Sequence, residues 1–141
     1  MDVTLVTDEA GIRRCHPLMA LLRPHLDCAA FVSAVQRLQA DHGYRLVQLE
    51  DGGQLRALAG IRVGEWLHRG RYLEIEELVT AEADRSRGYG RSLLHWIARY
   101  GRDQGCGQLR LVSGLRRTDA HRFYEREGMT CEAKYFSMDL D

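Results

Sequence analysis

The chain has 141 residues, 45 % of them hydrophobic, and its 20 basic and 20 acidic side chains cancel to a net charge of zero. That length suits a single domain spanning 1–141 with its own core, and the neutrality argues against a general binder of nucleic acid or of an anionic membrane surface. No apolar run approaches the roughly 20 residues of a membrane helix, and the acidic start "MDVTLVTDEAG" has no signal-peptide pattern, so the expected location is cytoplasmic. Cys15, Cys28, Cys106 and Cys131 form no C-x-x-C pair and fit no zinc or disulfide framework. They are expected to be reduced thiols, and no metal site is expected.

Val3 to Val6 reads as a short first strand, with Thr7 or Asp8 able to cap a helix after it. Ile12, Cys15, Met19 and Leu22 follow at helical spacing, and Pro24 ends or kinks that helix. Asp27 can cap a second helix that carries Phe31, Val35 and Leu38 on one face and stops at Gly43. The period then changes to two. "YRLVQLE", "QLRALAGIRVGEW" and "YLEIEELVT" read as three antiparallel strands, the first two joined by the hairpin turn "DGG". Leu93, Leu94, Ile97 and Gly101 mark one face of a third helix, closed by Gly105 and Gly107. "QLRLVS" is a further strand, and its approach through a helix implies parallel pairing with "YLEIEELVT". "TDAHRFYERE" reads as a helix with Thr118 or Asp119 as cap, and "MTCEAKYFSMDL" as a last strand. The order β-α-α-β-β-β-α-β-α-β predicts an α/β (α+β) fold. Its central sheet is mixed and mostly antiparallel, with helices on both faces.

Between the third long strand and the third helix lies "VTAEADRSRGYGRSLLHW". Glycine permits positive φ and close approach of backbone to a ligand. The helix that follows aims its free N–H groups, and roughly half a positive charge, at the turn. Arg85, Arg87 and Arg91 add full charges, so the stretch Arg85-Ser86-Arg87-Gly88-Tyr89-Gly90-Arg91 suits a pyrophosphate. A tight turn with solvated arginines is the plainer alternative. A dinucleotide fingerprint lacks its third glycine here, and a Walker A loop lacks its Gly-Lys-Ser/Thr.

Two separated motifs give the turn a context. Arg85 to Gly90 satisfies Gln/Arg-x-x-Gly-x-Gly/Ala, and "AHRFYEREGM" matches A-x-x-F-Y-x-x-x-G-F with Met129 in place of Phe. On these motifs, and on element order from Val3 to Leu140, the chain resembles the GNAT superfamily of N-acetyltransferases. The resemblance implies the acyl-CoA N-acyltransferase fold and acetyl-CoA as cosubstrate, with its pyrophosphate held by the turn 85–91. It also implies that Leu78, Val79 and Thr80 pair through their backbone with the pantetheine arm. The Val79 N–H is implied to polarise the thioester carbonyl. Tyr124 matches the tyrosine that can protonate the leaving thiolate. Arg117 stands where many relatives carry a coenzyme-contacting Asn, and Arg116 or Arg117 is the candidate to meet the phosphates instead.

Acetyl transfer to an amine needs a neutral amine, a polarised carbonyl and a proton for the thiolate. Strand alternation puts Glu74 and Glu76 on one face with Tyr72, and Glu77 on the other with Leu73 and Ile75. Mutual repulsion should raise at least one pKa of the pair. Glu74 falls at the position of the catalytic glutamate of the histone-acetylating branch, and Glu76 at that of a substrate-facing acid in small-molecule acetyltransferases. Either acts as base, a water relays the proton, or both simply bind a cationic substrate. Tyr124 is alternatively a packing aromatic.

The reading is an acetyl-CoA-dependent N-acetyltransferase that moves acetyl to a primary amine, by direct attack in a ternary complex. No cysteine lies in the matched motifs to carry a covalent acetyl group. A small-molecule amine is the expected partner, with no nucleic acid and no membrane, and the resemblance leaves a homodimer open. The alternatives are a non-catalytic acyl-CoA sensor and a protein N-acetyltransferase. The region Asp8 to His42, with Arg13, Arg14, His16, Arg23, His25 and Asp27, is expected to roof the acceptor site.

Overall fold

The computed structural model describes residues 1–141. The chain divides into two compact units, Met1–Arg110 and Leu111–Asp141. The first begins with β1 (Asp2–Val6), α1 (Glu9–Met19) and α2 (Cys28–Asp41). Both helices start where a short acid can satisfy their orphan N–H groups. The Asp8 carboxylate accepts from Gly11 N–H at 2.7 Å, and that of Asp27 from Ala30 N–H at 2.8 Å. The first helix stops at Met19, earlier than the apolar spacing predicts. Arg23 precedes Pro24, a position that disfavours helix, and Leu18 to Arg23 instead close a series of tight turns.

β2 (Tyr44–Asp51), β3 (Gln54–Trp66) and β4 (Gly70–Thr80) form the antiparallel meander, with β1 added antiparallel to β2. α3 (Tyr89–Asp103) leads to β5 (Gln108–Leu111), and the sheet order is β1-β2-β3-β4-β5. Gly107 N–H donates to Arg71 O at 2.9 Å, and Arg110 reaches Glu74 at 2.7 Å. The two strands therefore advance together, which is the expected parallel pairing. Ile12, Cys15, Met19, Phe31, Val32 and Val35 from α1 and α2 pack on Leu46, Leu58 and Val79. On the other face Gly101 of α3 sits against Leu73, with Leu93 and Ile97 fully buried nearby.

One irregularity sets the phase of β4. Gly60 pairs with Glu77, but Ile61 pairs with Ile75, so β4 carries an extra residue, a bulge, at Glu76. Strict alternation puts Glu77 with Leu73 and Ile75, and the bulge overturns that. Glu77 instead shares a face with Glu76, where Tyr44 donates to it at 2.7 Å. Gly60 opposite is bare because a side chain there would collide with the Tyr44 hydroxyl and the Glu77 carboxylate.

The second unit holds α4 (Thr118–Arg126), whose N-cap is Arg117 rather than Thr118 or Asp119. The expected last strand, Met129 to Leu140, does not form: residues 129–141 lie in neither helix nor strand. Its alternation breaks at Tyr135-Phe136, adjacent aromatics that are 72 % and 86 % exposed. The segment therefore has no single apolar face with which to dock.

Replacing Gly60 by valine should force Tyr44 and Glu77 apart and cost about 1–3 kcal/mol, the usual penalty of overpacking. Urea unfolding would register this as a lowered midpoint at unchanged slope.

Candidate active site

β4 ends at Thr80, and the Ala81 N–H donates to Arg56 O at 2.9 Å, which carries the pairing with β3 one residue further. Glu82–Asp84 then form a single 3₁₀ turn that the sequence pattern did not reveal. Two residues beyond it have left-handed backbone, Ser86 (φ +68°) and Gly88 (φ +84°). Alternating hand turns successive N–H groups toward one side, a concavity that suits an anion. Glycine takes this shape freely, whereas Ser86 holds it at a cost of order 1 kcal/mol or more.

Gly88 is also the N-cap of α3. The first intrahelical bond runs from Ser92 N–H to Gly88 O, so the N–H groups of Tyr89, Gly90 and Arg91 precede the ladder. Arg85, Ser86, Arg87 and Arg91 are exposed around this turn, while Tyr89 is buried. The turn and helix start thus meet both requirements of a diphosphate site, oriented donors and positive charge.

Beside the turn, Leu78 pairs with Ala59, Val79 with Leu58 and Thr80 with Ala57 on the β3 side of β4. On the other side β5 is four residues long and anchored at Arg71 and Glu74. At about 3.3 Å per residue it ends near the level of Ile75. Leu78 to Thr80 therefore lie past its end, where an extended ligand could pair with them as a strand does. The Val79 side chain is buried in the core under α1 and α2. One residue thus combines a packing role with a backbone that lies past the end of β5.

The carboxylates of β4 are each matched to a cation on the face that carries α1 and α2. Arg110 Nε lies 2.7 Å from Glu74, and its guanidinium stacks over the Tyr72 ring at 3.6 Å and the Trp66 ring at 4.4 Å. Arg62 meets Glu76 at 2.9 Å. Arg23, from the connection between α1 and α2, donates to the Glu76 carbonyl at 3.0 Å and to the Glu77 carboxylate at 3.1 Å. Burial raises the Glu76 pKa, Arg62 opposes the shift, and Glu77 and Glu74 add to it. Tyr44 has its phenol pKa pushed up by burial and by Glu77.

Tyr124 and Arg117 belong to the second unit. Tyr124 is half-buried on α4 with its ring against Phe123, centroids 5.5 Å apart. Burial raises its pKa and the charge of Arg117 opposes this. Arg117 is exposed, and its backbone bonds to Gly114 and His121 at the start of α4. No group of three or more His, Cys, Asp or Glu side chains is placed to hold a metal ion. Cys15 is buried, with its thiol pushed up to about 12.

Sequence reasoning identified Glu74 and Glu76 but not their partners Arg62 and Arg110, nor the Tyr44–Glu77–Arg23 group. One signal was in view: a glycine inside a strand, Gly60, which marks bulges.

The profile of the Acetyltransferase (GNAT) family matches residues 13–129. Over 122 residues the chain is 37 % identical to a Bacillus subtilis (strain 168) protein named "Uncharacterized N-acetyltransferase YhdJ", covering 86 % of each. Over 111 residues it is 33 % identical to the aminoalkylphosphonate N-acetyltransferase of Salmonella typhimurium, covering 77 % of this chain and 71 % of that protein. The aminoglycoside N-acetyltransferase AAC(6')-Iy, solved in complex with CoA, superposes with a TM-score of 0.87 over 99 % of this chain and 93 % of that one, at 12 % identity. No helix is long and apolar enough to cross a membrane. With the family profile spanning most of the sequence and the acetyltransferase fold beneath it, this chain belongs to the GNAT acetyltransferase family.

Proposed function

We propose that the chain is an acetyl-CoA-dependent N-acetyltransferase that passes acetyl to a primary amine of a small molecule, by direct attack in a ternary complex. The observation that carries this reading is the left-handed pair Ser86 and Gly88 at the start of α3, ringed by Arg85, Arg87 and Arg91. These donors and charges would hold the coenzyme diphosphate, and Arg117, where many relatives of the family carry a coenzyme-contacting Asn, is a candidate phosphate contact by that resemblance. The backbone of Leu78, Val79 and Thr80 would align the pantetheine arm, with Val79 N–H donating to the thioester oxygen as charge develops there.

The amine must lose a proton before or during attack. Burial raises the pKa of Glu76, which brings it toward the range of a base working near neutrality. It would take the proton directly or through one water, while Glu74 helps hold the cationic acceptor. Tyr124 would return a proton to the departing thiolate. A covalent acetyl-enzyme has little support, since the buried Cys15 thiol resists ionisation. The relative named for aminoalkylphosphonates supports an acceptor with an anionic group beside its amine. Arg62 and Arg110, on the same face as the acids, carry the charge to match it.

Calorimetry with acetyl-CoA, followed by thiol release with a panel of amines that includes aminoalkylphosphonates and amino acids, tests the whole reading. Coenzyme binding without turnover on any amine would instead mark a sensor. Gly88→Val should weaken coenzyme binding about 10- to 100-fold, because a β-branched residue resists positive φ. No atom stands within 4 Å of a side chain added there, so the loss would be conformational and not a clash. Tyr124→Phe should cut kcat by about 100-fold or more if the phenol is the general acid, with coenzyme affinity nearly unchanged. Equal rates would remove Tyr124 from the chemistry.

Glu76 works only when ionised, so activity should fall as pH drops through its raised pKa. Arg62 opposes that rise. Arg62→Met should therefore move the acid limb of the pH–rate profile to higher pH, and Arg62→Lys should largely restore it. A limb that stays in place in both variants would argue that Glu76 binds substrate without taking its proton.

A further inference from the structure

The turn between β4 and α3 does not stand alone. Asp84, just before it, is 4 % exposed and is the buried charged residue of the fold. Both its carboxylate oxygens accept from Arg56 Nη1, at 3.1 and 3.2 Å. Arg56 also donates from Nε to Asp51 O at 3.2 Å, and its own carbonyl accepts from Ala81 N–H. Tyr89, just after the turn's second left-handed residue, donates its hydroxyl to Asp51 Oδ2 at 2.8 Å. The Arg56 guanidinium lies 5.9 Å from the centre of the Tyr89 ring. Asp51 and Arg56 flank one feature, the β2–β3 hairpin, whose turn is Gly52 and Gly53, both with positive φ.

The entry to the turn (Asp84) and its exit (Tyr89) are thus fastened to the same rigid hairpin. Only Arg85 to Gly88 lie between them, and these contain the strained Ser86. We propose that Arg56 and Asp51 are positioning residues for coenzyme binding: the hairpin clasps both ends of the diphosphate turn and holds its N–H groups in the binding shape before the ligand arrives. This rests on the coenzyme reading of the turn. Holding a loop in its bound form strengthens binding without adding a contact, because less ordering remains to be done on association.

The charge of Asp84 gives the clasp a sign that a bystander lacks. Asp84 lies 4.0 Å from Arg87 and is an acid next to an anion site. By electrostatics alone, Asp84→Asn should tighten the grip on a diphosphate. If Asp84 acts through position, the same change should weaken it. Tyr89→Phe keeps the buried ring and deletes only the hydroxyl, so it tests the exit without threatening the fold.

The experiment is calorimetric titration of the purified full chain with CoA and acetyl-CoA, for wild type, Tyr89→Phe, Asp51→Ala and Asp84→Asn, with melting temperatures and, where turnover is found, KM for each substrate. The expected result is an increase of about tenfold in Kd and in acetyl-CoA KM for each variant, with kcat and amine KM near wild type. A double variant of Tyr89→Phe with Asp51→Ala should be no worse than Asp51→Ala alone, since the two share one hydrogen bond. Unchanged Kd alongside a lowered melting temperature would make the clasp a purely structural tie and overturn the proposal. Tighter binding by Asp84→Asn would do the same for the entry side. Should Asp84→Asn not fold, the exit pair still decides. A wild type that binds neither CoA nor acetyl-CoA would overturn the coenzyme reading itself and the clasp with it, an outcome distinct from variants that bind as the wild type does.

Discussion

The extra residue in β4 is the constraint on which the rest of the site depends. β4 is paired with β3 along its whole length and with β5 up to about Ile75, with helices packed on both faces, so its side chains have little freedom to choose where they point. Without the bulge at Glu76, Glu77 would follow Leu73 and Ile75 into the packing under α3, where an unpaired carboxylate costs several kcal/mol. With it, the acid turns to the opposite face, where a phenol and a guanidinium await it. The same shift returns Val79 to the core beneath α1 and α2 while its backbone faces the end of β5. One inserted residue thus separates a dry face from a charged one within a single strand.

The charged face is nearly neutral in sum. Glu74, Glu76 and Glu77 are answered by Arg110, Arg62 and Arg23, drawn from three different parts of the chain. Such pairs are poor sources of stability, since desolvation offsets most of their attraction. Their value is geometric: each carboxylate is fixed in orientation, and at Glu76 the Arg62 charge tempers the rise in pKa that burial causes. Neutrality of the whole chain, which argued against a polyanion-binding surface, is reached in part by this local pairing.

Most of the fold was legible in the sequence because it rests on short-range rules. Asp8 and Asp27 cap their helices as their positions suggest, the hairpin falls at Gly52 and Gly53, and the change of period at Tyr44 marks the start of the meander. The shape of the turn between β4 and α3 was legible for the same reason, since positive φ and a helix start are local facts. What was hidden is what depends on distant partners. The face of Glu77 follows from an insertion relative to β3, which alternation cannot see. The link from Arg56 to Asp84 joins residues that no periodicity relates. The last strand failed for the converse reason: Met129 to Leu140 has strand-like composition, but composition does not supply an edge to pair with or a common apolar side.

Tyr44, Gly60 and Glu77 meet at one point, on three neighbouring strands, with no room for another heavy atom. Their histories should therefore be tied. A lineage that gains a side chain at position 60 has to move both the phenol and the acid, and one that loses the phenol alone still meets the Glu77 carboxylate there. Across homologous sequences the three columns should drift together, as a single inherited trait rather than as three.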